Sequence, residues 1–151
     1  MQLKSLEDTK NFSKKISKIV SAGDIIFLYG EIGVGKTTFV RFLINHLEVE
    51  SGIKKSDVLS PTFNIVYDYD VGNLKILHYD LYRLKNYQDI SQLGMFETSN
   101  NSIKIIEWPE LIHPKPKNRV DILFKYSKLK NSRDVQIFGF GKWKDYKFDE
   151  I

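Results

Sequence analysis

Leu6, Phe12, Ile16, Ile19 and Val20 recur at roughly helical spacing with lysines between them, so Ser5 to Ser21 predicts an amphipathic helix. "SAGD" ends it, with Gly23 as the expected C-cap. Ile25 to Tyr29 then form an unbroken apolar run, the pattern of a strand buried on both faces of a parallel sheet. Beyond a glycine-rich turn, Phe39, Phe42, Leu43 and Leu47 fall on one side of "KTTFVRFLINHL", which predicts a second helix. From Glu48 to Asp57 the apolar pattern lapses, as in an exposed connection.

The pattern changes period after that. "TFNIVYDYDVGNLKILHYDLYRL" places two β-rich runs around the turn-prone "DVGN", predicting an antiparallel hairpin from Phe63 to Asp80. "NYQDISQLGMFET" reads as a short helix, "SIKIIEW" as a strand ending at Glu107 or Trp108, and "PELIHPKPKN" as a loop or broken turn. "RVDILFKYSKLKNSRDVQIFGFG" reads as a second hairpin turning at "KLKNSRD". The tail "KWKDYKFDEI" mixes charge with aromatics, as a docking segment or a frayed end does.

Gly30, Gly35, Lys36 and Thr37 satisfy G-x-x-x-x-G-K-[ST] without mismatch, between a predicted strand and a predicted helix. A chain bent through Gly30, Gly33 and Gly35 turns successive N–H groups inward, and the positive end of the following helix adds to their pull on phosphate oxygens. In that arrangement Lys36 reaches the β- and γ-phosphates and the Thr37 hydroxyl takes a place on Mg²⁺. The fold class predicted is α/β, with a P-loop NTPase-like sheet of mixed parallel and antiparallel strands, two β-hairpins and flanking helices. No G-x-G-x-x-G follows a strand, which disfavours a dinucleotide fold.

Such a site also needs a carboxylate at a neighbouring strand end to hold the metal. Asp80 closes "LKILHYD" and Glu107 closes "IKIIE", so both are candidates. The guanine-reading N-K-x-D stretch does not occur, which favours ATP over GTP.

Composition narrows the setting. At 151 residues one domain, 1–151, is expected, and 42% hydrophobic with 28% charged residues suits a globular chain. The absence of cysteine excludes disulfides, thiolate metal sites and a cysteine nucleophile. The opening "MQLKSLEDTKNF" has early acids and no apolar core of a signal peptide, and no run approaches the roughly 18 apolar residues of a membrane helix. The expectation is a cytoplasmic protein with no membrane contact. A net charge of +4 modestly favours an anionic partner such as nucleotide or RNA, although no dense basic block stands out.

Taken with the phosphate loop, "SPTFNIVYDY", "HYDLYRL" and "IEWPE" closely resemble, in order and spacing, the TsaE (YjeE) family of bacterial tRNA threonylcarbamoyladenosine synthesis. The resemblance runs from about Ser5 to Arg133; the chain from Asp134 on carries no matching motif. It implies an ATPase that binds ATP/ADP with Mg²⁺, works with the TsaB and TsaD proteins, and touches tRNA weakly or indirectly. Carried over by position, it assigns Gly33, Val34, Gly35, Lys36, Thr37 and Thr38 to phosphate, Thr37 to Mg²⁺, and Asp80 and Glu107 to the metal and γ-phosphate. Thr62 falls on a switch-like loop that senses the metal or γ-phosphate, and Trp108 packs beside the nucleotide and fixes Glu107. Thr9 and Arg133 match adenine-side positions only loosely.

His78 reads as a hydrogen-bonded structural histidine, and Asp80 is favoured over Glu107 for orienting the attacking water. Arg41, Arg83, Arg119 and Arg133 are scattered, so no arginine finger is evident and slow hydrolysis is expected until a partner completes the site. Three rivals stand beside this reading: a small P-loop kinase, which lacks an evident lid here, a nucleotide-gated adaptor with incidental hydrolysis, and a direct RNA-binding role, whose sign would be a steep loss of tRNA affinity with salt.

Overall fold

A computed structural model describes residues 1–97 and 101–148. The elements are β1 (Gln2–Leu3), α1 (Leu6–Ser17), β2 (Ile25–Tyr29), α2 (Lys36–Glu50), β3 (Val66–Val71), β4 (Leu74–Asp80), α3 (Tyr87–Ser91), β5 (Ser102–Glu107), β6 (Arg119–Tyr126) and β7 (Arg133–Phe140). Seven strands form one sheet in the order β1-β7-β6-β2-β5-β4-β3. The central strands β6, β2, β5 and β4 run parallel, while β3, β7 and β1 pair antiparallel at the two sides. The fold is therefore α/β with a mixed sheet, two hairpins and flanking helices, as the apolar pattern predicts.

Alternation in the strands separates two cores. Ile26 and Leu28 of β2, Ile103 and Ile105 of β5, and Val120, Ile122 and Phe124 of β6 face α1 and α2, joining Phe12, Ile16, Phe39 and Leu43 in one cluster. Phe27 and Ile106 face the other way, against Ile90 of α3, Met95 and Ile112. β5 is buried along its whole length, as parallel strands covered on both faces are.

Several boundaries differ from the sequence expectation. α1 stops at Ser17, because the N–H groups of Ile19 and Val20 both turn back to the Ile16 carbonyl. Gly23 is not its C-cap: at φ 88° it shapes the turn into β2 and donates its N–H to Ser102. α2 runs on to Glu50 through the apparent lapse, since buried Glu48 accepts from the Asn45 amide and the Ser56 N–H. Phe63 to Ile65 precede the first hairpin rather than opening it, with Ile65 left-handed at φ 69°. The helix predicted in "NYQDISQLGMFET" is only the five residues of α3, followed by turns, and Thr98 lies outside the described residues.

The ends of the chain hold the largest surprises. β1 has no counterpart in the sequence pattern; its two residues are held by pairing with Asp134 and Arg133 of β7. The tail is not frayed over its described part. A 3-10 turn at Gly141–Trp143 brings Trp143 and Phe148 into the larger core, their ring centroids 6.2 Å apart. Asp149, Glu150 and Ile151 lie outside the described residues.

Candidate nucleotide-binding site

The loop between β2 and α2 is held in left-handed backbone at Gly30, Gly33 and Gly35, with φ of 135°, 74° and 116°. Gly30 is also sterically required, because a Cβ there would run into the Phe124 carbonyl oxygen. Gly35 occupies the N-cap of α2 and offers no side-chain acceptor, which leaves the first N–H groups of that helix for a ligand. A sequence of strand, glycine bend and uncapped helix thus builds an anion cradle from backbone alone.

Lys36 is buried under this loop, its Nζ donating to the Gly30 and Glu31 carbonyls at 2.6 and 3.0 Å and lying 4.0 Å from the centroid of the Trp108 ring. Burial lowers its pKa, and the charges of Glu107, Asp80 and Glu110 oppose that shift. One residue on, Thr37 Oγ1 lies 2.9 and 3.0 Å from the two carboxylate oxygens of Glu107. The end of β5 is thereby joined to the start of α2.

Asp80 and Glu107 are register partners on the parallel strands β4 and β5, so their carboxylates emerge side by side at the strand ends. Both are nearly inaccessible, at 4% and 2% exposure, and each is fully engaged. Asp80 accepts from the Thr62 hydroxyl at 2.6 Å and from the Tyr82 N–H at 2.9 Å. Glu107 takes a further contact from His78 Nε2 at 2.8 Å. His78 is fully buried and, among the described residues, its Nδ1 has no hydrogen-bond partner, so Nε2 is the nitrogen that donates to Glu107.

A cavity of about 290 Å³ lies over these groups, lined by Gly33, Lys36, Thr37, Thr62, Asp80 and Glu107 among others. A second, of about 180 Å³, adjoins it across Gly33, Gly35 and Thr38 and reaches Thr9 and Arg133. Thr9 and Arg133 both line this second cavity, and Arg133 is tied to the glycine loop: Nε donates to the Val34 carbonyl at 2.9 Å, and the guanidinium lies 4.7 Å from the Tyr126 ring. Trp108, left-handed at φ 58°, packs on Lys36 and Tyr82 rather than directly on Glu107.

Sequence reasoning missed Leu3, Leu6, Phe124 and Asn131, which complete the second cavity. Asn131 carried a signal, since asparagine in "KNSRD" suits the left-handed φ of 61° it adopts. Leu3 carried none, because its position depends on the unforeseen β1. Among the described residues no arginine lines the larger cavity.

The donor chemistry around Thr37 suits Mg²⁺: a hydroxyl and two carboxylates, all hard oxygen, in a number that leaves places for water and phosphate. Among the described residues no three His, Cys, Asp or Glu side chains converge to cage a metal by themselves.

The glycine loop between a parallel strand and a helix, with lysine, threonine and strand-end acids around it, defines the P-loop NTPase-like class of α/β folds. Within that class the chain belongs to the TsaE family: residues 3–135 match the model of the "Threonylcarbamoyl adenosine biosynthesis protein TsaE". It is 41% identical over 110 residues to the tRNA threonylcarbamoyladenosine biosynthesis protein TsaE of Rickettsia typhi, covering 73% of this chain and 74% of that protein. The protein of the same name from Aquifex aeolicus is 34% identical over 137 residues, 90% of this chain and 92% of its own. The crystal structure of Bacillus subtilis YdiB superposes with a TM-score of 0.76 at 26% identity, over 99% of this chain and 90% of that one. Among the described residues no helix is long and apolar enough to cross a membrane.

Proposed function

We propose that this chain is a Mg²⁺-dependent ATPase of tRNA threonylcarbamoyladenosine biosynthesis, acting in the cytoplasm with TsaB and TsaD. The observation that carries the reading is the Thr37–Glu107 contact beside Asp80, which assembles oxygen donors at the mouth of a phosphate-binding loop. The names of the relatives supply the pathway; the geometry supports the chemistry.

ATP phosphates lie against the N–H groups from Gly33 to Thr38, and the Lys36 ammonium exchanges its two carbonyl acceptors for phosphate oxygens. Thr37, Glu107 and Asp80 would hold Mg²⁺, which would supply positive charge beside the phosphates, and His78 keeps the Glu107 carboxylate turned toward Thr37. Asp80 faces the Thr62 loop instead, which suits it to orient the attacking water. Thr9 and the Arg133 side of the second cavity receive the adenosine. Without an arginine in the larger cavity, developing charge on the γ-phosphate is poorly met and hydrolysis is slow until a partner acts, since such an arginine is worth about 10³ or more in rate.

A partner-dependent cycle has a specific structural support. Ile32, Leu59, Phe63 and Tyr82 are all exposed around the cavity mouth, Phe63 at 80%. Apolar side chains so placed suit a surface that TsaB or TsaD covers, and this is also the observation that favours an adaptor reading. Phosphate release measured with and without TsaB and TsaD separates the two: partner-stimulated hydrolysis required for modification supports the ATPase. Modification that persists when hydrolysis is abolished and ATP binding intact supports the adaptor.

A further inference from the structure

The positive charge of this protein is not spread evenly. Residues 115–147 hold ten Lys and Arg against Asp121, Asp134 and Asp145, a balance of +7, so the rest of the chain carries −3 to reach the total of +4. That segment is the β6–β7 hairpin with its flanks. Register then sorts it by face. Val120, Ile122 and Phe124 point into the larger core, so Arg119, Asp121, Leu123 and Lys125 point the opposite way. Opposite them on β7 stand Phe140, Phe138, Gln136 and Asp134.

Among the described residues no helix covers the β7 side of this face; on the β6 side Arg119 donates to the Pro116 carbonyl and Asp121 is buried. Phe138 and Phe140 are 48% and 36% exposed on it. They are same-face neighbours on one strand, about 7 Å apart along it. The Arg119 guanidinium lies 3.8 Å from the Phe140 ring centroid while pairing with Asp121, and Lys115 reaches the Tyr29 hydroxyl at 2.9 Å. Asp121 is therefore neutralised locally. Apart from Asp134, which stands opposite Lys125 and accepts from the Gln2 amide, the charge flanking the rings is cationic: Lys115 and Lys117 toward one end, Lys125, Lys128 and Lys130 toward the other, all exposed.

We propose that the exposed β7 side of this face is a docking surface for single-stranded RNA, with Phe138 as the stacking platform, Phe140 beside it under the Arg119 guanidinium, and the flanking lysines on the phosphates. Aromatic rings on an open sheet between cations are how unstacked bases are held, since every base has a π-face and every nucleotide a charge. An acidic protein surface would use the lysines but has no need of two adjacent exposed rings. The proposal extends the tRNA-modification reading by giving this chain its own RNA contact. The hairpin touches the glycine loop at its other end, through Tyr126 Oη to the Ile32 carbonyl and Arg133 to the Val34 carbonyl, while Phe138 and Phe140 pair with Asp121 and Arg119 at the far end of the same strands, so RNA on the rings would lie apart from the nucleotide.

The test is binding of a fluorescent unstructured oligoribonucleotide, and separately of an anticodon stem-loop, by the full chain at several salt concentrations. Expected is saturable binding that weakens steeply with salt. Phe138→Ala should weaken it about tenfold, Lys125→Glu more at low salt than at high, and Lys14→Glu on the opposite side of the sheet not at all. Binding of a fluorescent ATP analogue by the same variants reports whether they fold and keeps the phosphate site separately judged. Absence of saturable RNA binding overturns the proposal, as does binding that Phe138→Ala and Lys125→Glu leave unchanged. Equal competition by polyglutamate, with no loss in Phe138→Ala, overturns it in favour of an acidic protein.

Discussion

Asp80 and Glu107 sit opposite one another in the register of two parallel strands, yet each carboxylate accepts from a different hydroxyl: Asp80 from that of Thr62, Glu107 from that of Thr37. Two acids at one level of the sheet therefore differ in what they feel. Glu107 is coupled to the helix behind the phosphate loop, Asp80 to the loop before β3.

The pair can be separated by isosteric change. Glu107→Gln should raise the Mg²⁺ concentration needed for hydrolysis and lower its rate by about 10² or more. Asp80→Asn should lower the rate comparably with a smaller change in Mg²⁺ requirement. Both should retain metal-free nucleotide binding, measured by fluorescence of an ATP analogue. Equal effects on Mg²⁺ requirement would contradict the division of labour.

The glycines of the loop should not be equivalent. Gly35→Ala meets open space and costs only the strain of a left-handed alanine, about 1–3 kcal/mol. Gly30→Ala adds a collision with the backbone of β6 and should destabilise the fold further. Urea unfolding of the two variants tests the order.

This part of the protein was legible in the sequence for a physical reason. A phosphate loop needs its glycines, lysine and threonine at fixed spacing, and strand-end acids follow from where apolar runs stop, so Lys36, Thr37, Asp80 and Glu107 converge as expected. The first helix, both hairpins and the buried β5 were likewise written in local periodicity. What local pattern could not hold was anything decided by distant pairing. β1 exists because β7 accepts it, Trp143 and Phe148 are buried because the chain turns back at Gly141, and the second cavity needs Leu3 and Phe124 from distant parts of the chain. The same limit applies to charge: the lysines after residue 114 look dispersed until strand register gathers them around one face.

Asp121 gives a pH signature away from the phosphate loop. Burial raises its pKa above the ordinary 3.8, outweighing the Arg119 pairing that would lower it. Between 3.8 and the raised value the folded state holds more protons than the unfolded, so this group's contribution to stability is complete below 3.8 and is lost as pH rises through the folded pKa. Unfolding midpoints across that range should fall with pH more in the wild type than in Asp121→Asn. Parallel curves for the two would show that burial does not control this carboxyl.

Phe63 tests the covered-mouth idea. It is highly exposed, lies outside the cavity lining, and has the Arg83 guanidinium 5.1 Å from its ring. Phe63→Ser should leave the slow hydrolysis of the isolated chain within about twofold, because exposed substitutions rarely disturb folding. It should reduce stimulation by TsaB and TsaD by about tenfold or more, as loss of an apolar anchor does.

The central claim is that the Lys36–Thr37–Glu107–Asp80 cluster hydrolyses ATP under partner control. Its most direct test is phosphate release from Mg²⁺–ATP by the purified chain, alone and with TsaB and TsaD, beside Lys36→Ala and Glu107→Gln. The account predicts slow release alone, a marked rise with both partners, and loss of activity in either variant. Rapid release by the isolated chain, or activity unchanged by Glu107→Gln, would contradict it.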